Sequence, residues 1–345
     1  MISSDIRSAA PDLAGERAGD PAGGDVELAR VYRSGLHEST HYGALVVTDR
    51  DGSELWRRGD VRRPVFHRSC AKPFQAVAML DSGLVLPAPD LALAAASHAG
   101  EPEHVTRVLA MLDAVGLTED DLLCPADLPG DRAARDEVVR RGGGPRRVYM
   151  NCSGKHAAMV RTCLRAGWST ADYLDPAHPL QRRIRAGIER ITGAVTHDIV
   201  GVDGCGAPVF ATDLVALARG FGALVTSAAG TPARSVADAM RRHPALVGGS
   251  ASGDTLLMKR IPGLLVKLGA DGVQAFALPD GRAVAFKIAD GGERARLPLI
   301  LAALDFLGVR TDVAPGAPGT AFADAVVLGG ERPVGMVVAS PTLFR

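Results

Sequence analysis

Apolar and polar positions alternate near both ends of the chain, and a 3.6-residue period takes over between them. Residues 31–34, 43–48 and 54–56 read as strands, with a turn at 49–52 folding the last two into a hairpin. Ala76, Val77, Met79 and Leu80 continue an apolar run that stops at Ser82-Gly83, which predicts a short buried helix with Ser69 in its first turn. Helical faces then recur over 89–96, 104–115, 153–166, 178–191, 213–219 and 232–242, most of them ended by a glycine (Gly116, Gly167, Gly193, Gly220). Residues 140–147, with three glycines, read as a loop. Strand text returns at 263–267, 273–278 and 283–288, where the Asp-Gly pairs at 271–272 and 280–281 close tight turns. A helix over 290–307 and a strand over 334–339 complete the expected order.

Strands at both ends around a helical middle imply an α/β (α+β) fold. One antiparallel sheet is assembled from residues 27–83 and 250–345, a helical lobe occupies 84–249, and the site lies in the cleft between them. Residues 1–26, rich in Gly, Pro, Ala and charges, read as a mobile tail.

Bulk properties remove several function classes. The 345 residues can bury a large core, and 47% hydrophobic with 23% charged residues is the composition of a soluble globular protein. Formal net charge is zero and no basic stripe interleaves with aromatics, which argues against a nucleic-acid partner. The apolar runs at 91–96 and 297–304 are too short to cross a membrane, and residues 1–26 lack the apolar core of a signal peptide. Five cysteines, an odd number in a large chain, point to reduced thiols and a cytoplasmic location.

The candidate chemistry begins with lysine, which supplies only five of the 39 basic residues (Lys72, Lys155, Lys259, Lys267 and Lys287). A chain that writes arginine wherever a surface charge suffices keeps lysine where an amine must give up its proton, which a guanidinium does not do. Ser69 and Lys72 stand three residues apart in Arg68-Ser69-Cys70-Ala71-Lys72-Pro73-Phe74-Gln75, which on a helix brings hydroxyl and amine within hydrogen-bond reach. That is the layout of an activated serine nucleophile with a lysine base.

Lys267, followed by Leu268-Gly269 at the end of a strand, fits the Lys-x-Gly element of serine-lysine acyl-transfer enzymes, with Lys287 the competing candidate. There the lysine supplies a charge or a proton, and Gly269 admits a substrate backbone. Ser97, in Ser97-His98-Ala99-Gly100-Glu101, is either a helix C-cap or a second hydroxyl in the cleft paired with Lys267. Cys152 and Lys155 share the same three-residue spacing, and Cys205 lies in the turn Asp203-Gly204-Cys205-Gly206. Free cysteines are commonly small buried hydrophobes, but two thiolates and a neutral amine would also make three tetrahedral metal ligands. His156 or Asp203 would then support those ligands from behind.

Taken together, these segments resemble the L-asparaginase II family, related by fold to serine β-lactamases and glutaminases. The resemblance runs from about Val31 to Ser340 and rests on Arg33-Ser34-Gly35-Leu36-His37-Glu38, the Arg68–Gln75 segment, Ser97-His98-Ala99-Gly100-Glu101 and Asn151-Cys152-Ser153-Gly154-Lys155-His156. Further matches are Asp175-Pro176-Ala177-His178-Pro179, Val202-Asp203-Gly204-Cys205-Gly206, His243-Pro244-Ala245-Leu246-Val247-Gly248-Gly249, Lys267-Leu268-Gly269-Ala270-Asp271-Gly272 and Ala289-Asp290-Gly291-Gly292. The resemblance implies two Ser-Lys pairs (Ser69/Lys72 and Ser97/Lys267), a zinc held by Cys152, Lys155 and Cys205, and a homodimer. It departs where the family carries a further cysteine and this chain reads Gly253-Asp254-Thr255. The implied activity is hydrolysis of L-asparagine to L-aspartate and ammonia, with Asp203 suiting the substrate α-ammonium, Arg68 a carboxylate, and His156 beside them in the substrate site. The rival expectations are a glutaminase or β-lactam-interacting enzyme on the same scaffold, or a zinc-binding domain without catalysis.

Overall fold

The alternating text at the chain's start forms β1 (Val26–Arg33), which turns at Ser34-Gly35 into the long β2 (Leu36–Thr48). Both turn residues take positive φ (48° and 85°), and the polar stretch before Gly43 is drawn into the strand by pairing with β1. The computed structural model describes residues 24–313 and 325–345, so the expected tail lies outside the described residues except for its last three, and Val26 already belongs to β1.

β3 (Glu54–Arg58) folds back on the second half of β2, whose other edge receives β9 (Ala283–Ile288). Beyond β9 come β8 (Val273–Ala277) and β7 (Leu265–Leu268). On the far side, β1 pairs with β11 (Arg332–Ala339) and β11 with β10 (Val326–Gly329). The order β10-β11-β1-β2-β9-β8-β7 is antiparallel at every pairing, so both ends of the described chain meet in one sheet. β8 and the inner half of β2 are buried throughout, which is why they read as nearly continuous apolar runs.

α1 (Lys72–Asp81), which precedes the expected lobe in sequence, lies at its centre, buried from Lys72 to Met79 and packed against α2 (Ala88–Ala94), α5 (Ser153–Ala166), α6 (Pro179–Thr192) and α8 (Pro232–Arg242). α3 (Pro102–Asp113) lies on α5. α7 (Leu214–Thr226) joins lobe to sheet by packing on β2, β8 and β9. It runs straight through Gly220, expected to be its end. A Cβ there would stand 2.6 Å from Phe74 Cζ, and one at Gly222 would stand 2.6 Å from the Gly281 carbonyl, so both glycines serve close approach.

Three further differences have local causes. α11 (Arg296–Phe306) starts six residues later than expected, because Asp290 accepts from the Gly292 N–H at 2.7 Å and Gly291 adopts φ 76°, which makes a turn there. The stretch read as wholly helical contains β5 (Val200–Val202) and β6 (Pro208–Thr212), which with β4 (Val65–Phe66) form a small sheet. These strands are too short to show alternation, and β6 is buried at every position. The polar α4 (Arg132–Arg140) has no buried residue, and the short α9 (Pro244–Gly248) and α10 (Gly253–Arg260) carry too few turns for a period. Among the described residues no helix is long and apolar enough to cross a membrane.

Candidate active site

Ser69 lies in a 3-10 turn, Arg68–Ala71, between β4 and α1; the α-helix itself begins at Lys72 rather than at the serine. Three contacts fix this turn. His67 is buried and its Nε2 meets Thr212 Oγ1 of β6 at 2.8 Å. The Cys70 N–H donates to His67 O at 3.0 Å, and the Cys70 thiol donates to the Lys267 carbonyl of β7 at 3.0 Å. A Cβ on Gly269 would stand 2.8 Å from His67 O and 3.1 Å from Cys70 Sγ. The glycine therefore admits the chain's own turn, a role that the Lys-x-Gly pattern does not signal. Burial pushes the Cys70 thiol up to about 12, so it acts here as a neutral pin.

Ser69 is half-buried and its hydroxyl makes no hydrogen bond among the described residues, while its N–H is likewise free. Lys72, only 1% exposed, directs its amine to the Ala96 carbonyl (2.7 Å) and to Ser97 Oγ (2.8 Å). Ser97 is held in turn by its own N–H on Val247 O of α9, at 2.9 Å. The hydrogen bond that forms therefore joins Lys72 to Ser97, where the sequence pattern paired Lys72 with Ser69 and Lys267 with Ser97. Lys267, fully buried, donates to Leu268 O at 2.8 Å and stands 4.0 Å from Asp254 Oδ2. Burial lowers the Lys267 amine to about 8, with the Asp254 charge opposing that fall.

The second cluster surrounds the first turn of α5. Cys152 precedes the helix and its thiol reaches Asn151 Oδ1 at 3.0 Å. Lys155 Nζ donates to Cys205 Sγ at 3.1 Å. The neighbouring Cys152 thiol holds the Cys205 thiol far below its ordinary value, with Lys155 assisting, and Cys205 in turn raises Cys152. Burial works to lower Lys155, but the neighbouring Cys205 and Cys152 sulfurs outweigh it and hold the amine charged. His156 binds Tyr173 Oη through Nδ1 (2.8 Å), while its buried Nε2 has no partner. Burial lowers this imidazole to about 4, leaving it neutral beside Cys205.

The resemblance implies a zinc held by these groups. Among the described residues no three His, Cys, Asp or Glu side chains are placed to hold a metal, so the third donor has to be the Lys155 amine. Two neighbouring cysteines, one of them a stabilised thiolate, with the Lys155 nitrogen 3.1 Å from it and an unpartnered imidazole nitrogen beside them, fit the implied group, provided the metal displaces the Lys155 proton.

Arg68 takes φ 49° and joins the clusters. Its Nε donates to Asp203 Oδ1 at 2.8 Å, in the turn that carries Cys205, and its guanidinium also binds Asp271 on the β7–β8 turn. The two residues expected to grip opposite ends of a substrate are thus paired with each other. Lys287, the competitor for the Lys267 position, instead caps the Asp271 and Ile288 carbonyls at 2.6 Å. Asp254 was missed as a site residue: it precedes the Lys267 strand by eleven positions, and nothing in local spacing signals that α10 brings it there.

No curated protein matches the chain. Among solved structures it is similar to a β-lactamase from Mycobacterium bovis at 18% identity, covering 77% of this chain and 93% of that one with a TM-score of 0.45. It is also similar to Mglu in its Tris and glutamate form at 14% identity, covering 84% of this chain but 64% of that one, with a TM-score of 0.43. A third likeness, at 11% identity and a TM-score of 0.33, is to EstCE1, a hydrolase with promiscuous acyltransferase activity, over 77% of this chain and 89% of that one. With TM-scores below 0.5 these likenesses carry no weight of their own. A match over residues 29–339 does: the chain belongs to the L-asparaginase II family.

Proposed function

We propose that this protein is an L-asparaginase that hydrolyses the side-chain amide of L-asparagine through an acyl-enzyme on Ser69. The observation that carries the reading is the buried Lys72 amine, three residues after Ser69 and hydrogen-bonded to the Ser97 hydroxyl, in a chain of the L-asparaginase II family. Lys72 takes the Ser69 proton as Oγ attacks the amide carbon, and the Ser69 N–H, which has no partner among the described residues, is available to the developing oxyanion. The carbon–nitrogen bond then breaks, and the nitrogen leaves as ammonia with a proton from Lys72 or, through Ser97, from Lys267. Water cleaves the resulting ester, giving aspartate and restoring Ser69.

Cys152, Lys155 and Cys205 would hold a zinc. When bound, it supplies a fixed positive charge that orients the substrate. Arg68 and Asp203, paired in the absence of substrate, offer one charge each to the carboxylate and ammonium of an amino acid. A homodimer, carried only by the family resemblance, is part of the same proposal.

The Lys72–Ser97 bond favours one second reading, in which Ser97 is the nucleophile. Ammonia release from asparagine and glutamine by Ser69→Ala and Ser97→Ala separates these possibilities. The reading expects asparagine to be preferred, with glutamine disfavoured by about 1–3 kcal/mol for its extra methylene. Ser69→Ala should be silent and form no acyl adduct by intact mass. An active Ser69→Ala with a silent Ser97→Ala would move the nucleophile to Ser97.

A further inference from the structure

Asp254 is among the few acidic residues that are almost fully buried, at 3% exposure, and the mechanism above leaves it unused. It lies in the first turn of α10, behind the N-cap Ser252. Its Oδ2 accepts the Leu268 N–H at 2.7 Å and its Oδ1 accepts from Gln274 Nε2 at 3.4 Å, so it grips the ends of β7 and β8 together. The same Oδ2 stands 4.0 Å from Lys267 Nζ.

The other elements around Lys267 offer no competing carboxylate. From the 3-10 turn comes Cys70, a neutral thiol, and from α1 the Lys72 amine. The N-terminus of α5 contributes the Cys152 thiol at longer range. α11 sends in the buried Arg296 guanidinium, which binds the Val273 and Gly269 carbonyls. β8 presents only the neutral Gln274, and the charged residues of α8 are occupied with each other, Arg241 on Asp238. Asp254 is therefore the one carboxylate facing this amine among the described residues. We propose that Asp254 is a positioning residue of the active site, tying the end of β7 to α10 and serving as the buried counter-charge that keeps Lys267 an ammonium beside the Ser69 turn. In that state Lys267 is a proton donor, the complement of Lys72 as base. The fall of Lys267 to about 8 under burial is what remains after Asp254 has opposed it.

The inference rests on the function proposed above for its catalytic consequence, but its electrostatic core can be read without turnover. Protein labelled at lysine Cε with carbon-13 gives five lysine signals, which single Lys→Arg variants assign. Asn in place of Asp254 removes the charge and keeps an oxygen for the Leu268 N–H. Asp254→Asn should lower the Lys267 titration midpoint by about 1–3 units, the usual effect of a close counter-charge. Asp254→Ser, with the same charge removed, serves if the first variant does not fold. The alkaline limb of ammonia release should move down with the midpoint. A Lys267 midpoint that stays in place in a folded variant overturns the inference. A midpoint that moves while the alkaline limb does not overturns the donor role alone. Wild-type protein that releases no ammonia overturns the functional reading, and the NMR midpoint then decides the electrostatic claim by itself.

Discussion

Lys72 and Lys155 make a natural pair for comparison. Each is 1% exposed, each sits three residues after a nucleophilic side chain, and each belongs to the first turn of a buried helix. Lys72 faces a carbonyl and a hydroxyl, both neutral, whereas Lys155 faces the Cys205 sulfur, whose thiolate holds the amine charged. Equal spacing and equal burial thus lead to different surroundings, and under the proposed function the partner opposite each amine decides what it does. In the proposed function the first arrangement serves proton transfer, and the second serves a ligand set once a metal has displaced the Lys155 proton.

The hardest test of that contrast is to replace each lysine by arginine, which keeps the charge and discards the labile proton. Lys72→Arg should cut ammonia release by about 10³-fold or more while the folded circular-dichroism spectrum is retained. An active Lys72→Arg would end the base assignment. Next in size is metal content. Elemental analysis of protein purified without added zinc should find about one ion per chain, and Cys205→Ala or Lys155→Arg should lose most of it while Lys72→Arg keeps it. Unchanged occupancy in Cys205→Ala would take that sulfur out of the ligand set.

The smallest effect concerns the frame that holds both lysines. His67, behind the Ser69 turn, is lowered by burial to about 4, and burial likewise holds His98, which binds Ser153 Oγ at 2.8 Å, well below the ordinary value of 6.5. Above pH 6.5 both are neutral folded or unfolded and pH has no effect through them. As pH falls from about 6.5 towards 4 the unfolded chain binds protons that the folded one refuses, so stability declines by up to about 3 kcal/mol for a shift of the size seen at His67. Urea unfolding midpoints between pH 8 and 4.5 should be level and then drop. A midpoint level to pH 4.5 would mean that water reaches these rings.

Much of this architecture was legible because long amphipathic stretches carry their own period. α5 and α8 fall where the pattern put them, as does β9. The antiparallel sheet built from both chain ends also followed from the distribution of strand text. What escaped was set by distant partners. α7 passes Gly220 because a Phe74 ring needs the space, and β6 is a strand because β4 and β5 flank it. Scarce lysine marks Lys72, Lys155 and Lys267 in the sequence, and all three are buried. Which acceptor each amine would meet was not legible: Ser97 reaches Lys72 through the packing of α1 against α2, and no local spacing encodes that.

The pairing of β1 with β11 has a consequence for how this chain is made. The sheet's central strand pair needs β9 before it can extend, and its outer half needs residues 332–339, far downstream of β1. The Ser69 turn itself rests on the carbonyl of Lys267, nearly two hundred positions downstream. Such long-range closure makes for slow folding and leaves early strands unpaired during synthesis. A nascent chain halted anywhere before β7 would carry its serine and its lysine without the surface that sets them in place.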